Sequence, residues 1–469
     1  MDKIAALSKR RGFVFPGSDI YGGLANTWDY GPLGVELKRN VKELWWRTFV
    51  HGRRDIVGID AGILMHPRVW EASGHVAGFN DPLVDCRTCK SRFRADHLIE
   101  ERLHQHVEGK SPAEMSRIIA EAGLKCPVCG NATLTDARQF NMMFSTVIGP
   151  VEETGTGVYL RPETAQAMFV QFDNIATSMR RKLPFGIAQI GRAYRNEITP
   201  GNFIFRDREL DMMEMEYFVH PSEEDEWFAY WVDARHRWWT DVLGIDRSRL
   251  RLRPHDPDEL SHYSKQTTDI EYEFPIGWSE LEGVAARTDF DLKAHATASG
   301  RKLEIFDEAA GEHIVPYVIE PAMGVDRAVL TVLVDGYEEE QLAKEKRVVL
   351  RIRPELAPVK AAVLPLLRNR PELVERARAL TGDLKRVVPA MYDDTASICK
   401  LYRRQDEIGT PFCVTVDVES LDDGAATIRE RDTMTQERVS LDLVPGRIAD
   451  LVAGRSPWEG VAREPTGGG

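Results

Sequence analysis

Four segments place charged residues of both signs inside stretches that are otherwise apolar. Arg161–Gln166 reads R-P-E-T-A-Q, Arg195–Glu197 reads R-N-E, Phe205–Glu214 reads F-R-D-R-E-L-D-M-M-E, and Glu320–Arg327 reads E-P-A-M-G-V-D-R. Buried charge is costly unless it is paired or meets a charged ligand. A ligand with an ammonium at one end and a triphosphate at the other would satisfy both signs. A second constellation is made of cysteine. Cys86 and Cys89 form C-R-T-C, and Cys126 and Cys129 form C-P-V-C. Paired C-x-x-C knuckles supply four thiolates for a tetrahedral zinc. In a cytosolic chain that pattern favours metal over disulfides. Four cysteines leave no open position, so the zinc is expected to be structural. Cys399 and Cys413 stand alone and are expected in the core.

Several elements must hold these groups. Gly34–Val50 reads as an amphipathic helix with Val35, Leu37, Val41, Leu44, Trp45 and Phe49 on one stripe. Val158–Arg161 reads as a short strand, after which Pro162 opens a helix. Ala165, Met168, Phe169, Phe172, Ile175, Ala176 and Met179 form its core stripe, with Glu163 off the stripe. Phe185–Glu197 and Leu210–Val219 read as two strands joined by a Pro200–Gly201 loop. Alternation puts Arg195 and Glu197 on one face of the first strand and Glu214 and Glu216 on one face of the second. Met213, Met215, Tyr217 and Val219 take the opposite, apolar face. Val315–Glu320 is a further strand, followed by a turn at Pro321–Gly324 and a helix from about Val325. Arg327 therefore falls in a first helical turn, where a cation is disfavoured unless an anion binds beside it.

The 469 residues suggest two to three domains. Hydrophobic content of 43% and charged content of 29% fit a soluble globular chain. No apolar run reaches membrane-spanning length, and Met1–Arg11 lacks an apolar signal core, so the cytoplasm is the expected location. The net charge of −13 does not suggest nucleic acid, although a local basic patch can still bind RNA. A charged linker is expected at Tyr337–Arg347. Beyond it, Val348–Ile352 is strand-like, and alternating segments at Val359–Leu367, Glu372–Thr381, Phe412–Val418 and Ala425–Arg429 argue a separate α/β domain. Gly467–Gly469 reads as a tail.

In its order of motifs the chain resembles the homodimeric glycyl-tRNA synthetases, which are class II aminoacyl-tRNA synthetases. The likeness begins at Arg11–Tyr30, passes through the four charged segments and Trp278–Leu292, and ends in Tyr402–Pro411 and Arg429–Val439. It implies an α+β catalytic domain at 1–345, with the class II antiparallel sheet flanked by helices. A zinc-knuckle insertion at 86–135 and a C-terminal α/β anticodon-binding domain at 346–469 complete it. The helix at Gly34–Val50 and the segment around Pro67 resemble motif 1, which builds the dimer. The implied ligands are ATP, Mg²⁺, glycine and tRNA(Gly).

The same resemblance implies residue roles. Arg195 should hold the α-phosphate, Arg206 the β- or γ-phosphate and Arg327 the γ-phosphate, as the catalytic arginines. Glu197 should sit by the adenine or ribose and Glu280, beside Leu281, on magnesium. Asn196, Phe205, Asp207, Arg208, Glu209, Leu210, Gly324, Val325 and Asp326 complete the ATP set. Glu163, Glu214 and Glu320 should receive the glycine ammonium. Arg94, Leu210, Asp211, Met212, Met213, Pro321, Ala322, Met323 and Gly324 complete the glycine set. Lys400, Arg403, Arg404 and Arg429 are candidate RNA contacts, with Asp406 and Glu407 reading bases or capping structure.

Five positions depart from the family pattern. Leu210 replaces a phenylalanine that stacks on adenine, Met212 a glutamine, Ala322 a serine, and Ser279 and Cys399 glycines. Two alternatives remain: a ligase that adenylates glycine for another acceptor, and a non-catalytic tRNA-binding paralogue.

Overall fold

The computed structural model describes residues 1–105, 107, 110–150, 155–197, 201–257, 259–261, 263–308, 311–342 and 346–461. Pro200 of the expected loop and the Gly467–Gly469 tail lie outside the described residues. The catalytic half is organised by one seven-stranded sheet. In chain order its strands are β1 (Ile56–Gly58), β2 (Phe185–Tyr194), β3 (Glu209–Val219), β4 (Leu250–Pro254), β5 (Gln266–Phe274), β6 (Gly277–Thr288) and β7 (Tyr317–Gly324). Their spatial order is β4-β5-β6-β7-β3-β2-β1, antiparallel throughout except for the β1–β2 pair.

The alternation on β3 is as expected. Met213, Met215, Tyr217 and Val219 join the main core, together with Leu37, Val41, Leu44, Trp45 and Phe49. Those last five belong to helix α1 (Pro32–Trp46) and the π-helical turn that continues it to His51. Val35, expected on the same stripe, is instead exposed. On the opposite face Phe218 enters a smaller apolar cluster with Met168, Phe169, Phe172, Phe185 and Ile187. Glu214 and Glu216 of β3 lie on this second face, between that cluster and the open end of the sheet.

Five local expectations need correction. The first strand of the expected pair ends at Tyr194, so Arg195 and Glu197 lie beyond it and not on its face. The helix after Arg161 does not begin at Pro162. It begins at Ala165 as α2 (Ala165–Val170), because Glu214 takes up the N–H and hydroxyl of the N-cap residue Thr164. It also breaks at Gln171, and a second helix, Phe172–Ser178, leaves Met179 exposed. No turn separates Glu320 from Gly324. β7 runs through Pro321, and the β3–β7 pairing is interrupted there, where proline has no N–H to give. The expected charged linker is a hairpin of Tyr337–Gln341 and Lys346–Leu350. Its charged side chains pair with one another and with the C-terminal unit: Arg347 is fully buried, and its Nε donates to Asp406 at 2.8 Å.

Two further helices frame the site, α3 (Phe290–Ser299) and α4 (Val325–Gly336). The C-terminal unit has a five-stranded sheet in the order Ala390–Tyr392, Ala361–Pro365, Phe412–Val416, Ala425–Glu430, Gln436–Ser440. The first three strands are parallel and the last two antiparallel. Helix α5 (Ile398–Ile408) packs on it and carries Leu401 into a small core with Cys413. Cys399, expected in the core, is exposed on the same helix.

Candidate active site

A cavity of about 370 Å³ opens where β3, β5, β6 and β7 converge. It gathers Glu163, Arg195, Glu197, Phe205, Arg206, Asp207, Leu210, Met212, Glu214, Glu280, Glu320, Ala322, Met323, Gly324, Asp326 and Arg327 from distant parts of the chain. Alternation explains the set: Leu210, Met212 and Glu214 are every second residue of β3, and Glu320, Ala322 and Gly324 every second residue of β7.

The arginines are fixed by backbone and aromatic contacts. Arg195 Nε donates to Pro162 O at 3.0 Å, and the guanidinium lies over the Phe79 ring at 5.6 Å. Arg327 Nη1 donates to Glu280 O at 3.0 Å and lies 3.3 Å from Glu280 Oε2, while its plane covers Phe205 at 4.6 Å. It therefore pairs with Glu280, and not with the adjacent Asp326. Asp326 accepts from Tyr30 Oη at 2.5 Å, from Lys38 Nζ at 2.7 Å and from the Asp211 N–H at 3.1 Å. Those bonds tie the start of α4 to α1 and β3.

The other end of the cavity is acidic. Glu163 lies 3.2 Å from His75 Nε2 and accepts from Gln166 Nε2 at 3.0 Å. Burial opposes its ionisation, but His75, Arg287 and Gln166 outweigh it and hold the carboxyl below the usual range. Glu214 accepts from the Thr164 N–H at 2.6 Å and from its hydroxyl. Burial and the nearby Glu163 still raise its pKa. Burial likewise pushes Glu320 up to about 7, against the pull of Arg287, whose Nη1 donates to it at 2.8 Å. Asp207 reaches about 8 through burial and the charge on Asp326. Carboxyls kept this close to neutrality in an enclosed space mark a functional site.

Sequence reasoning missed part of this shell. Arg287 is fully buried; its Nε and Nη2 donate to Asp291 at 2.8 and 2.9 Å, and it stands 3.9 Å from the Tyr263 ring. Gln166, also buried, bridges Glu163 and Asp291 and accepts from His295 at 2.8 Å. The signal was present in W-S-E-L-E-G-V-A-A-R-T-D-F-D-L, where Arg287 and Asp291 stand four apart beyond an apolar run. His255, Ser261, Thr267 and Asp269 also line the cavity.

Other expected residues lie elsewhere. Met213, Leu281 and Val325 point into the main core. Glu209 pairs with Arg192 on the surface at 3.2 Å. Asp211 is bound by Lys38, Lys42 and Arg192. Arg208 supports the chain by donating to Glu197 O and Ala25 O. Asn196 contributes its backbone N–H to Met142 O, and Pro321 is buried in β7. Arg94 lines an adjoining cavity that shares His255 and Glu280 with the first; there it pairs with Asp81 at 3.2 Å and Asp96 at 2.6 Å. Arg161 is structural: its guanidinium donates to Arg192 O and Ala61 O.

The four cysteines meet as the spacing suggested, with their sulfurs within 4.8 Å of one another. The two knuckles are local copies. Cys86 N–H donates to Ser91 O and receives Lys90 N–H on its carbonyl; Cys126 N–H donates to Asn131 O and receives Gly130 N–H. Sγ–Sγ distances of 3.6 Å (Cys86–Cys129) and 3.5 Å (Cys89–Cys126) approach the roughly 3.8 Å edge of a zinc–thiolate tetrahedron. The donor set fits zinc.

Among the expected RNA contacts, Lys400 is exposed and lines a shallow hollow with Arg11, Arg403 and Arg404. Arg429 and Asp406 are not available to RNA: both are buried and bonded to each other at 3.0 Å. Glu407 pairs with Arg11 at 2.6 Å.

Comparison with known proteins places this geometry in a family. Residues 146–336 match the tRNA synthetase class II core domain (G, H, P, S and T), and residues 360–451 match the anticodon binding domain. A protein of Caldanaerobacter subterraneus subsp. tengcongensis is 54% identical, covering 95% of this chain and 96% of its own length. One of Streptomyces coelicolor is 53% identical (97% and 99%), and one of Geobacillus kaustophilus 52% (97% and 99%). All three are named glycine–tRNA ligase.

Proposed function

Since this chain belongs to the glycine–tRNA ligase family of class II synthetases, we infer that it activates glycine with ATP and transfers it to the 3′ end of tRNA(Gly). The observation that carries the reading is the division of one cavity into an end bearing Arg195, Arg206 and Arg327 and an end bearing Glu163, Glu214 and Glu320. Glycine offers an ammonium to the acidic end and a carboxylate toward the arginines. Its carboxylate is already ionised at neutral pH and attacks the α-phosphorus of ATP without a general base, releasing pyrophosphate. The terminal ribose hydroxyl of tRNA then attacks the acyl carbon of glycyl-adenylate, and AMP leaves.

The protein aligns the partners and spreads phosphate charge over guanidinium forks, which suit phosphate oxygens better than an ammonium does. Arg195 is assigned to the α-phosphate, Arg206 and Arg327 to the outer phosphates, and Glu197, Phe205, Asp207 and Leu210 to the nucleoside. Glu280 is assigned to magnesium, which neutralises phosphate charge when bound. Met212, Ala322 and Met323 close the glycine end, where steric exclusion rejects every larger amino acid.

We assign the catalytic unit to 1–345, with the 86–135 insertion around a structural zinc, and the anticodon-binding unit to 346–469; the convergence of four cysteines and the anticodon-domain match at 360–451 support this division. The α1 and Pro67–Ala72 helices are the assigned homodimer contact. No described helix is long and apolar enough to cross a membrane. The test is pyrophosphate exchange with each amino acid, followed by aminoacylation of tRNA(Gly). Exchange with glycine alone supports the reading. Exchange without any transfer to tRNA would favour the alternative ligase, and no exchange the non-catalytic paralogue.

A further inference from the structure

Glu216 stands behind the acidic end and does not line the cavity. It is fully buried, and among the described residues neither carboxyl oxygen has a hydrogen-bond partner. The register locates it. Glu214 pairs with Ala322 and Tyr217 with Ile319, so Glu216 stands opposite Glu320, at the point where Pro321 interrupts the ladder. Glu214 is the next residue on the same face of β3. On the other side Phe218, Ile187 and Val318 begin the apolar cluster.

The charged groups facing Glu216 are Glu214 on its own strand, Glu320 on β7, Arg287 on β6 and Asp291 on α3. Arg287 is already committed to Glu320 and Asp291 through three hydrogen bonds. An ionised carboxylate here would be a buried charge with no donor, facing three other acids. Such a charge is far more costly than a neutral carboxyl.

We propose that Glu216 is a positioning residue held as a neutral carboxylic acid, which spaces Glu214 from Glu320 without adding negative charge to the wall that receives the glycine ammonium. This rests on the glycine reading of the cavity. Burial and the neighbouring Glu320 raise the Glu216 pKa well above the ordinary value, in agreement with the geometry.

An acid that stays protonated in the folded chain but ionises in the unfolded chain makes the folded state bind the extra proton. Its stability contribution is complete below the unfolded pKa of about 4.3 and is lost as pH rises, by about tenfold in the folding equilibrium per unit. Glu216→Gln keeps the size and the neutrality but cannot ionise. The melting temperature of Glu216→Gln minus that of the wild type is therefore expected to grow from pH 5 to pH 9. This measurement needs no substrate, so it is independent of whether the wild type supports glycine-dependent exchange.

Glycine kinetics test the spacing. Glu216→Ala removes the spacer and is expected to raise the glycine KM about three- to tenfold more than Glu216→Gln does, the scale of one lost polar contact, with the ATP KM moving equally in both. A melting-temperature gap that stays constant or shrinks with pH shows an ionised Glu216 and overturns the proposal. So does a Glu216→Gln variant that loses glycine affinity as heavily as Glu320→Gln. If Glu216→Ala does not fold, the pH series on Glu216→Gln decides alone.

Discussion

Two buried clusters in this chain are built from the same residue types and do opposite things. In the C-terminal unit, Asp406 is fully buried and receives Arg347 Nε at 2.8 Å, Arg429 Nη1 at 3.0 Å and Arg403 Nη1 at 3.1 Å. Burial opposes its ionisation, yet the guanidiniums win and hold the carboxyl below its ordinary range. At the acidic end of the catalytic cavity the ratio is reversed. Glu216, Glu320 and Asp291 face Arg287, Glu214 is the next acid on the same face of β3, and the three glutamates are pushed toward their neutral forms. A cluster in which cations meet every acid is finished and serves structure. A cluster with acids left over is unfinished, and a cationic ligand completes it. The Cys86–Cys89–Cys126–Cys129 set is the extreme case, with four thiol ligands converging on one point.

The largest expected effect is therefore at the cysteines. Metal-replete protein should contain about one zinc per chain, and Cys126→Ser/Cys129→Ser should contain none. Structural zinc contributes on the order of 10 kcal/mol to small metal-dependent folds. The doubly substituted insertion should thus be cut rapidly by protease while the rest of the chain resists. An unchanged zinc content by elemental analysis would remove the site from the unfinished class.

Next comes the finished cluster. Asp406→Ala leaves Arg347 and Arg429 buried and short of their partner, which should cost about 3–5 kcal/mol of stability. Its pH signature is opposite to that of Glu216. The stability Asp406 adds is present above the unfolded carboxylate pKa near 3.9 and is lost as pH falls through the lower folded value. Glycine-dependent exchange per folded molecule should stay close to that of the wild type. A stable Asp406→Ala protein that fails only in binding tRNA would return this cluster to the RNA interface.

How far the sequence reveals the site follows from the same contrast. The two faces of β3 were legible, because period-two patterning is a local property, and the convergence of Arg195, Arg206, Arg327, Glu163, Glu214 and Glu320 followed from the resemblance in motif order; the strands Ile56–Gly58, Leu250–Pro254, Gln266–Phe274 and Gly277–Thr288 were not read from the sequence. Arg429 was misread as an RNA contact, and Asp406 takes the structural one of its two expected roles, since a string of charges does not say which partner lies across a sheet. Arg287 was overlooked for the same reason: its importance comes from Glu320, 33 positions away, and from Tyr263. Pro321 was taken for a turn because a proline rarely enters a central strand. The strand accommodates it by interrupting its pairing with β3 there.

Arg195→Ala tests the cationic end of the unfinished cavity. Removal of one preorganised donor to a developing charge costs about 2–4 kcal/mol of transition-state stabilisation. Pyrophosphate exchange should fall by that amount while the melting temperature holds, because the Arg195 side chain is tied to the fold by one hydrogen bond among the described residues, to Pro162 O, and by the Phe79 ring. Near-normal exchange by the folded variant would leave the arginines of this cavity as mere scaffold.

The smallest effect concerns Leu210, which lines the cavity two positions before Met212 on the same face of β3. In the family an aromatic ring at this place packs on adenine. Leucine covers the base with apolar area but lacks a flat face, and Phe205, the nearest aromatic of the motif, is already covered by Arg327. Leu210→Phe should therefore strengthen ATP binding. Aromatic pairs gain about 0.5–1.5 kcal/mol beyond area burial, so the ATP KM should fall by a few-fold to about tenfold. The glycine KM should barely move, since the acidic wall begins four residues further along the strand at Glu214. An ATP KM that is unchanged or higher would mean that Leu210 and Met212 have repacked around the base together. The nucleotide end would then be finished by apolar contacts alone, and the surplus of charge that defines this cavity would belong to the phosphates and the amino acid.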